Sequence, residues 1–201
     1  MSMSYTKLLP LLLLMSGCTT LSTQESTAPG QPSGTGVFGA SAIDETDLYR
    51  KALTALNNSQ LDYAESELKK ISKNRSELAG PWINLALIDI KKNNLDNAQK
   101  NLNMALERNP KMPQVFNVRG FLELTRGNFA KAAGDYRQAI ALKEDYALAH
   151  YNYALVNDIY FQDMKMAVRH YKRYLELTQN QDKKTADWVL ELERNLAKGL
   201  P

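Results

Sequence analysis

Small and bulky apolar residues recur along this chain at an interval of 34 residues. The small positions are Ala52, Ala86, Gly120 and Ala154, and the bulkier positions four residues before them are Leu48, Trp82, Phe116 and His150. A fixed period of this length indicates supersecondary units that stack one after another, each burying its apolar face against the next. The pattern therefore predicts a solenoid.

Within each period the apolar spacing predicts two antiparallel helices. The second unit shows the pattern best, with Trp82, Leu85 and Ala86, then Asn93 and Asn94, then Ala98, Leu102 and Ala105, and Pro110 last. The apolar residues before and after the two asparagines each follow helical intervals. The asparagines interrupt the pattern between the two helices. Pro110 ends the second helix, because a proline cannot continue a helix. Alanine or glycine recurs where two helix axes are expected to come close.

These residues resemble the tetratricopeptide repeat (TPR), and the resemblance covers roughly residues 45–198. It implies an all-α superhelical solenoid of about four helix-turn-helix repeats and a C-terminal capping helix. The expected repeats are about 45–78, 79–112, 113–146 and 147–179, with the capping helix at 182–198 and the whole domain at 44–201. An extra residue before Ala167 is expected to shift the second helix of the fourth unit relative to the period.

Several positions depart from the TPR pattern. Asp89 and Glu123 stand where the family usually has tyrosine, and Arg119 replaces the usual leucine. Ser76 and Glu144 replace the terminal proline of their units. We expect the fold to tolerate these changes.

The first seventeen residues have the features of an export signal: Lys7, an apolar run from Leu8 to Met15, and small residues at 16 and 17. The segment 14–18 resembles the bacterial lipobox, which implies cleavage before Cys18 and lipidation of its thiol. Thr19 then implies sorting to the periplasmic face of the outer membrane. The alternative is an ordinary signal peptide with an incidental cysteine. Residues 18–43 are poor in apolar side chains and are predicted to be a flexible tether.

The remaining chemistry points to binding rather than catalysis. A formal charge of +3, from 25 basic and 22 acidic residues spread along the chain, argues against a nucleic-acid surface. His150 and His170 have no ligand cluster near them in sequence, so we expect core or groove-edge histidines and neither a metal site nor a cofactor. Trp82 and Trp188 are expected to lie in the core. An enzyme is the class least supported.

The candidate site is the face of each first helix that points away from its partner helix. Its predicted members are Tyr49, Leu53, Leu56, Ile83, Leu87, Ile90, Asn117, Phe121, Leu124, Tyr151 and Leu155, followed by Asp158. Ten of these twelve are apolar or aromatic, which favours an amphipathic helix or an extended apolar segment as the ligand. Two alternatives remain: these residues pack against neighbouring first helices, or the final helix or the tether occupies the groove.

This layout is similar to the lipoproteins of type IV pilus biogenesis. The resemblance implies a pilotin role, in which the protein helps a pilus secretin subunit reach the outer membrane. Two other functions fit the same layout: an adaptor for enzymes that build or cut the cell wall, and a structural subunit of an outer-membrane assembly complex.

Overall fold

The computed structural model describes residues 45–199, and of residues 45 and 46 only the backbone. This range contains nine α-helices. They are α1 (Glu45–Asn57), α2 (Leu61–Asn74), α3 (Ala79–Lys91), α4 (Leu95–Arg108), α5 (Pro113–Thr125), α6 (Phe129–Leu142), α7 (Ala147–Ile159), α8 (Met164–Leu177) and α9 (Lys183–Ala197). The predicted signal peptide, Cys18 and the tether lie outside the described residues. None of the helices in the described range is long and apolar enough to cross a bilayer.

The helices form four consecutive pairs followed by α9. Each second helix packs against its own first helix and against the first helix of the next pair. The first helices α1, α3, α5 and α7 also contact one another in order. The first helices therefore form an inner layer and the second helices an outer layer, and the predicted all-α solenoid is confirmed.

Small residues sit at the points where helices approach most closely. In the first helices these are Ala52, Ala86, Gly120 and Ala154, and in the second helices Ala64, Ala98, Ala132 and Ala167; all are buried. Each of the alanines has an exposed fraction of 0%. At Gly120 a Cβ atom would lie 2.6 Å from the ring of Tyr136. That glycine lets α6 bring a tyrosine ring against the backbone of α5.

The turn inside each pair ends the first helix in the same way. Ser59, Asn93, Gly127 and Gln162 adopt positive φ values between 55° and 79°. In the first three turns the following residue donates its backbone N–H to a carbonyl five residues earlier, at 2.7 to 2.8 Å. A left-handed residue with such a bond stops a helix and satisfies a carbonyl that the helix itself leaves open. A residue with positive φ thus recurs at the turn of each repeat, although its type differs from turn to turn.

The extra residue of the fourth unit is accommodated in its turn. Residues 160–163 connect α7 to α8, whereas three residues make the equivalent connection between α3 and α4. Ala167 is the fourth residue of α8, just as Ala98 is the fourth residue of α4. The extra residue therefore shifts Ala167 by one relative to the 34-residue period. Within its helix, however, Ala167 keeps the same position as Ala98.

Three of the polar residues that depart from the TPR pattern have polar partners. The Arg119 Nε atom donates to both carboxylate oxygens of Asp135 at 3.0 Å, which ties α5 to α6. Asp89 accepts a hydrogen bond from Asn101 at 2.7 Å. Glu123 accepts hydrogen bonds from Arg126 and Asn128. Because buried polar groups are costly only when unpaired, these substitutions preserve the fold.

Replacing Gly120 with alanine should destabilise the protein by about 1–3 kcal/mol, because the new methyl group overlaps the Tyr136 ring in a packed interior. The matched control is Gly134→Ala in α6, where the added Cβ would have no atom within 4 Å apart from its chain neighbours and the backbone of its own helix. That change should instead stabilise the helix by about 0.5–1 kcal/mol. Denaturant unfolding of both variants measures the two effects, and equal stability of the two would contradict the packing described here.

Candidate functional site

Most of the predicted groove residues lie in the interior of the inner layer. Leu56, Ile83, Ile90, Asn117, Leu124, Tyr151 and Leu155 are exposed by only 1% to 9%. Leu56 packs with Ile88 of the next first helix, and Ile83 and Ile90 pack with Val115 and Val118 of α5. For Leu56, Ile83 and Ile90 the first alternative holds, since the next first helix contributes to the apolar clusters that bury them. Tyr151 instead lies in the cluster that includes Val189 and Leu192 of the final helix.

Four predicted members keep part of their surface exposed. Tyr49, Leu53, Leu87 and Phe121 are half-buried. Leu53, Leu87 and Phe121 are 34 residues apart and hold equivalent positions in α1, α3 and α5. Because these three helices contact one another in order, the side chains follow one another across the inner layer. We call these three residues the inner row.

A polar bridge joins α1 to α3 beside the inner row. Asn84 Nδ2 donates to the Tyr49 hydroxyl oxygen at 2.8 Å and to the Gly80 carbonyl at 3.1 Å. A Cβ atom on residue 80 would lie 2.7 Å from that hydroxyl, so glycine allows the phenol to rest on α3. Burial raises the pKa of Tyr49, and the bond from Asn84 opposes this rise. The bridge holds Tyr49 in place.

A second bridge of the same kind joins α5 to α7. Asn152 Nδ2 donates to Asn117 Oδ1 at 3.0 Å, and both side chains are buried. The Oδ1 atom of Asn152 and the Oε1 atom of Gln114 are buried without a hydrogen-bond partner. The inner layer therefore carries amides at three positions that the sequence analysis did not select: Asn84, Gln114 and Asn152. The sequence did contain a signal for Asn84 and Asn152, because the bonded pairs Tyr49–Asn84 and Asn117–Asn152 are both separated by 35 residues.

The final helix closes the C-terminal end of this face. Trp188 Nε1 of α9 donates to Asp158 Oδ2 at 2.7 Å, and the Tyr171 hydroxyl donates to the same oxygen at 3.4 Å. Burial raises the pKa of Asp158, while these two hydrogen bonds lower it. Tyr151 shares one apolar cluster with Val189 of α9. The fourth unit is thus covered by α9, and the accessible part of the face belongs to the first three units.

One cation lies at the edge of the inner row. Lys91, the last residue of α3, follows Leu87 by one helical turn and is half-buried. Burial lowers its pKa, and it forms no ion pair within residues 45–199. An apolar segment that carries an acidic residue could use this ammonium group.

Solved structures with the same architecture include bacterial proteins. A thermophilic TPR protein of Thermus thermophilus is 20% identical, with a TM-score of 0.65 over 75% of this chain and 81% of that one. PilF of Pseudomonas aeruginosa is 19% identical, with a TM-score of 0.63 over 75% of this chain and 69% of that one. The first TPR domain of Spaghetti (RPAP3), bound to an HSP90 peptide, is 21% identical, with a TM-score of 0.53 over 59% of this chain and 93% of that one.

The chain has the TPR fold. Comparison of the sequence with protein-family profiles and with curated proteins gives no match. The likeness to TPR structures thus rests on the arrangement of the helices. The RPAP3 domain is bound to an HSP90 peptide. A further neighbour, the structure of Naa15/Naa10 bound to HypK-THB, is 22% identical, with a TM-score of 0.59 over 77% of this chain and 23% of that one.

The two histidines of the TPR domain contact each other in the fourth unit. His150 Nδ1 and His170 Nδ1 are 2.8 Å apart, and His150 Nε2 lies 2.9 Å from the Glu144 carbonyl oxygen. Because a carbonyl only accepts, His150 carries its proton on Nε2 and accepts at Nδ1, so His170 donates from Nδ1. Within residues 45–199 no three metal-ligating side chains come together. The pair forms a hydrogen bond between α7 and α8.

This pair should make the stability of the protein depend on pH. Burial, His150 and Arg169 together lower the pKa of His170 to about 4. The unfolded chain takes up that proton near the ordinary pKa of about 6.5, so it binds more protons than the folded state between these two values. The free energy of unfolding should therefore fall by about 1 kcal/mol or more between about pH 7 and about pH 5.

The variant His170→Phe isolates this contribution. It keeps a ring against Tyr153 but cannot titrate, so its pH dependence should be weaker than that of the wild type. Denaturant unfolding of both proteins at the two pH values gives the comparison. An unchanged dependence in His170→Phe would contradict the assignment.

Proposed function

We propose that this protein is a non-enzymatic binding scaffold held at the periplasmic face of the outer membrane by a lipid on Cys18. Its ligand is an apolar segment of another envelope protein, which docks on the inner face of the first three units. The partner we favour is the secretin subunit of a type IV pilus. The TPR fold, whose neighbours include complexes with a peptide and with HypK, supports the scaffold role.

The inner row carries this proposal. Leu53, Leu87 and Phe121 present three apolar surfaces in line, and the bridge from Asn84 to Tyr49 fixes the first end of that line. An amphipathic helix or an extended strand can place alternate apolar side chains on such a row. Most of the surrounding apolar residues are already buried between helices, so the row is a narrow contact rather than a wide pocket. A narrow apolar contact suits a short segment.

The pilus role is supported by two likenesses. The arrangement of an export signal, a lipobox-like segment, a tether and these repeats is similar to the pilotin lipoproteins, and the PilF structure shares the fold. In this role the tether raises the local concentration of the binding face beside the bilayer. Its 26 residues, from 18 to 43, reach about 25–30 Å as a random coil. The scaffold would shield an apolar secretin segment until that segment inserts.

The double variant Leu87→Lys/Phe121→Lys should lose secretin capture, because two ammonium groups in the inner row cannot be desolvated by an apolar ligand. The matched control is Leu190→Lys on α9, an apolar residue with 50% exposure that lies outside the inner face. Crosslinking and pulldown from membranes measure the capture, and circular dichroism with denaturant unfolding establishes that each variant is folded. Equal capture by a folded double variant would refute the site. Capture of cell-wall enzymes by the wild type would favour the adaptor role.

Membrane attachment has its own test. Replacing Cys18 with alanine removes the only thiol, so the protein should move from the membrane to the soluble periplasmic fraction. Fractionation of cells followed by immunoblotting measures the distribution. Retention of the variant in the membrane fraction at the wild-type level would contradict lipid anchoring.

A further inference from the structure

The outer faces of α6 and α8 carry cations without acidic partners. Lys131 and Arg137 of α6 and Lys165 and Arg169 of α8 are exposed, and none forms an ion pair within the described range. Helices α6 and α8 are both second helices, so these exposed side chains belong to the outer layer. The second helices of the third and fourth units therefore carry four exposed cations.

Three acidic residues of α6, α8 and α9 are paired with cations. Asp135 of α6 is bound to Arg119 and is turned toward α5. Glu176 near the end of α8 pairs with Arg173, and Glu193 of α9 pairs with Lys172. Asp163 caps α8 by accepting the Met166 backbone N–H.

The N-terminal half of the outer layer has a different arrangement. Lys69 and Lys70 of α2 pair with Glu65 and Glu67 on the same helix. Lys92, in the turn before α4, pairs with Asp62 and Glu65 of α2. These acidic groups pair with most of the cations nearby, whereas Lys131, Arg137, Lys165 and Arg169 have no acidic partner within the described range.

An exposed aromatic residue lies near the starts of α6 and α8. Phe129, the first residue of α6, stacks on Tyr160 with ring centroids 3.8 Å apart, which brings the starts of α6 and α8 to one edge. The next residue, Phe161, is 46% exposed. Lys131 and Lys165 lie in the first turns of these two helices, at the same end of the helices as Phe161. We call Phe161 and the four cations the basic edge.

We propose that the basic edge rests on a lipid surface with anionic headgroups. Cations spread over two helices match the diffuse negative charge of such a surface, and an exposed aromatic side chain suits the boundary between headgroups and acyl chains. The membrane attachment proposed above would hold the basic edge near a bilayer, but the contact itself needs no lipid on Cys18. With the outer layer against the bilayer, the inner row faces away from it and stays open to a partner.

Vesicle sedimentation tests the contact on the full chain carrying Cys18→Ser, which cannot be lipidated. Binding to vesicles that contain phosphatidylglycerol should exceed binding to phosphatidylcholine vesicles, and the excess should vanish in salt that shortens the Debye length to about 3 Å. The variant Lys131→Glu/Lys165→Glu should reduce the excess by about tenfold or more. Phe161→Ser should weaken it as well. Every variant contains the apolar run at residues 8–15 and is tested on both vesicle types. This run therefore does not account for a difference between variants.

The matched control is Lys73→Glu/Lys100→Glu, which reverses two exposed and unpaired lysines on the outer faces of α2 and α4. This change should leave the excess close to the wild-type value. An equal loss in the control would overturn the assignment to the basic edge, since it would show an effect of net charge alone. A wild type that does not distinguish the two vesicles would overturn the lipid contact, whatever the result for Cys18 in cells.

Discussion

The close approach of helices at small side chains is the constraint on which this solenoid depends. Each of the four units places alanine or glycine where its two helices meet, and the larger side chains fill the spaces between. Packed interiors tolerate little added volume, so the spacing of these small residues fixes how each unit sits on the next. The inner row and the basic edge both follow from this stacking. One is formed where equivalent residues of successive first helices line up, and the other where two second helices lie in the outer layer.

The period of 34 residues was sufficient to predict the helices, their pairing and the small residues at their contacts. It placed side chains on a face of a helix, but it could not show which neighbour covers that face. Ile83 and Leu87 belong to the same predicted set, yet the next first helix buries Ile83 and leaves Leu87 half open. The ion pair of Arg119 with Asp135 and the bond from Trp188 to Asp158 also follow no repeat spacing. They depend on where separate helices meet in three dimensions.

The fourth unit differs from the others in being closed by polar contacts. The two histidines join α7 to α8, and Asp158 collects hydrogen bonds from α8 and α9. In a site of low dielectric such satisfied polar groups give a unique arrangement, and they are costly to separate. The first three units instead leave an apolar row partly open. The molecule thus combines a C-terminal end covered by α9 with a partly open inner face, and the proposed docking of a short apolar segment uses that face.

Photocrosslinking in living cells tests the central claim most directly. A photoreactive phenylalanine analogue at Leu53, in the inner row, should form a crosslink to the secretin subunit. The same group at Lys100, on the outer face of α4, should not. A secretin crosslink from Lys100 alone, or crosslinks from Leu53 only to soluble cell-wall enzymes, would contradict the account.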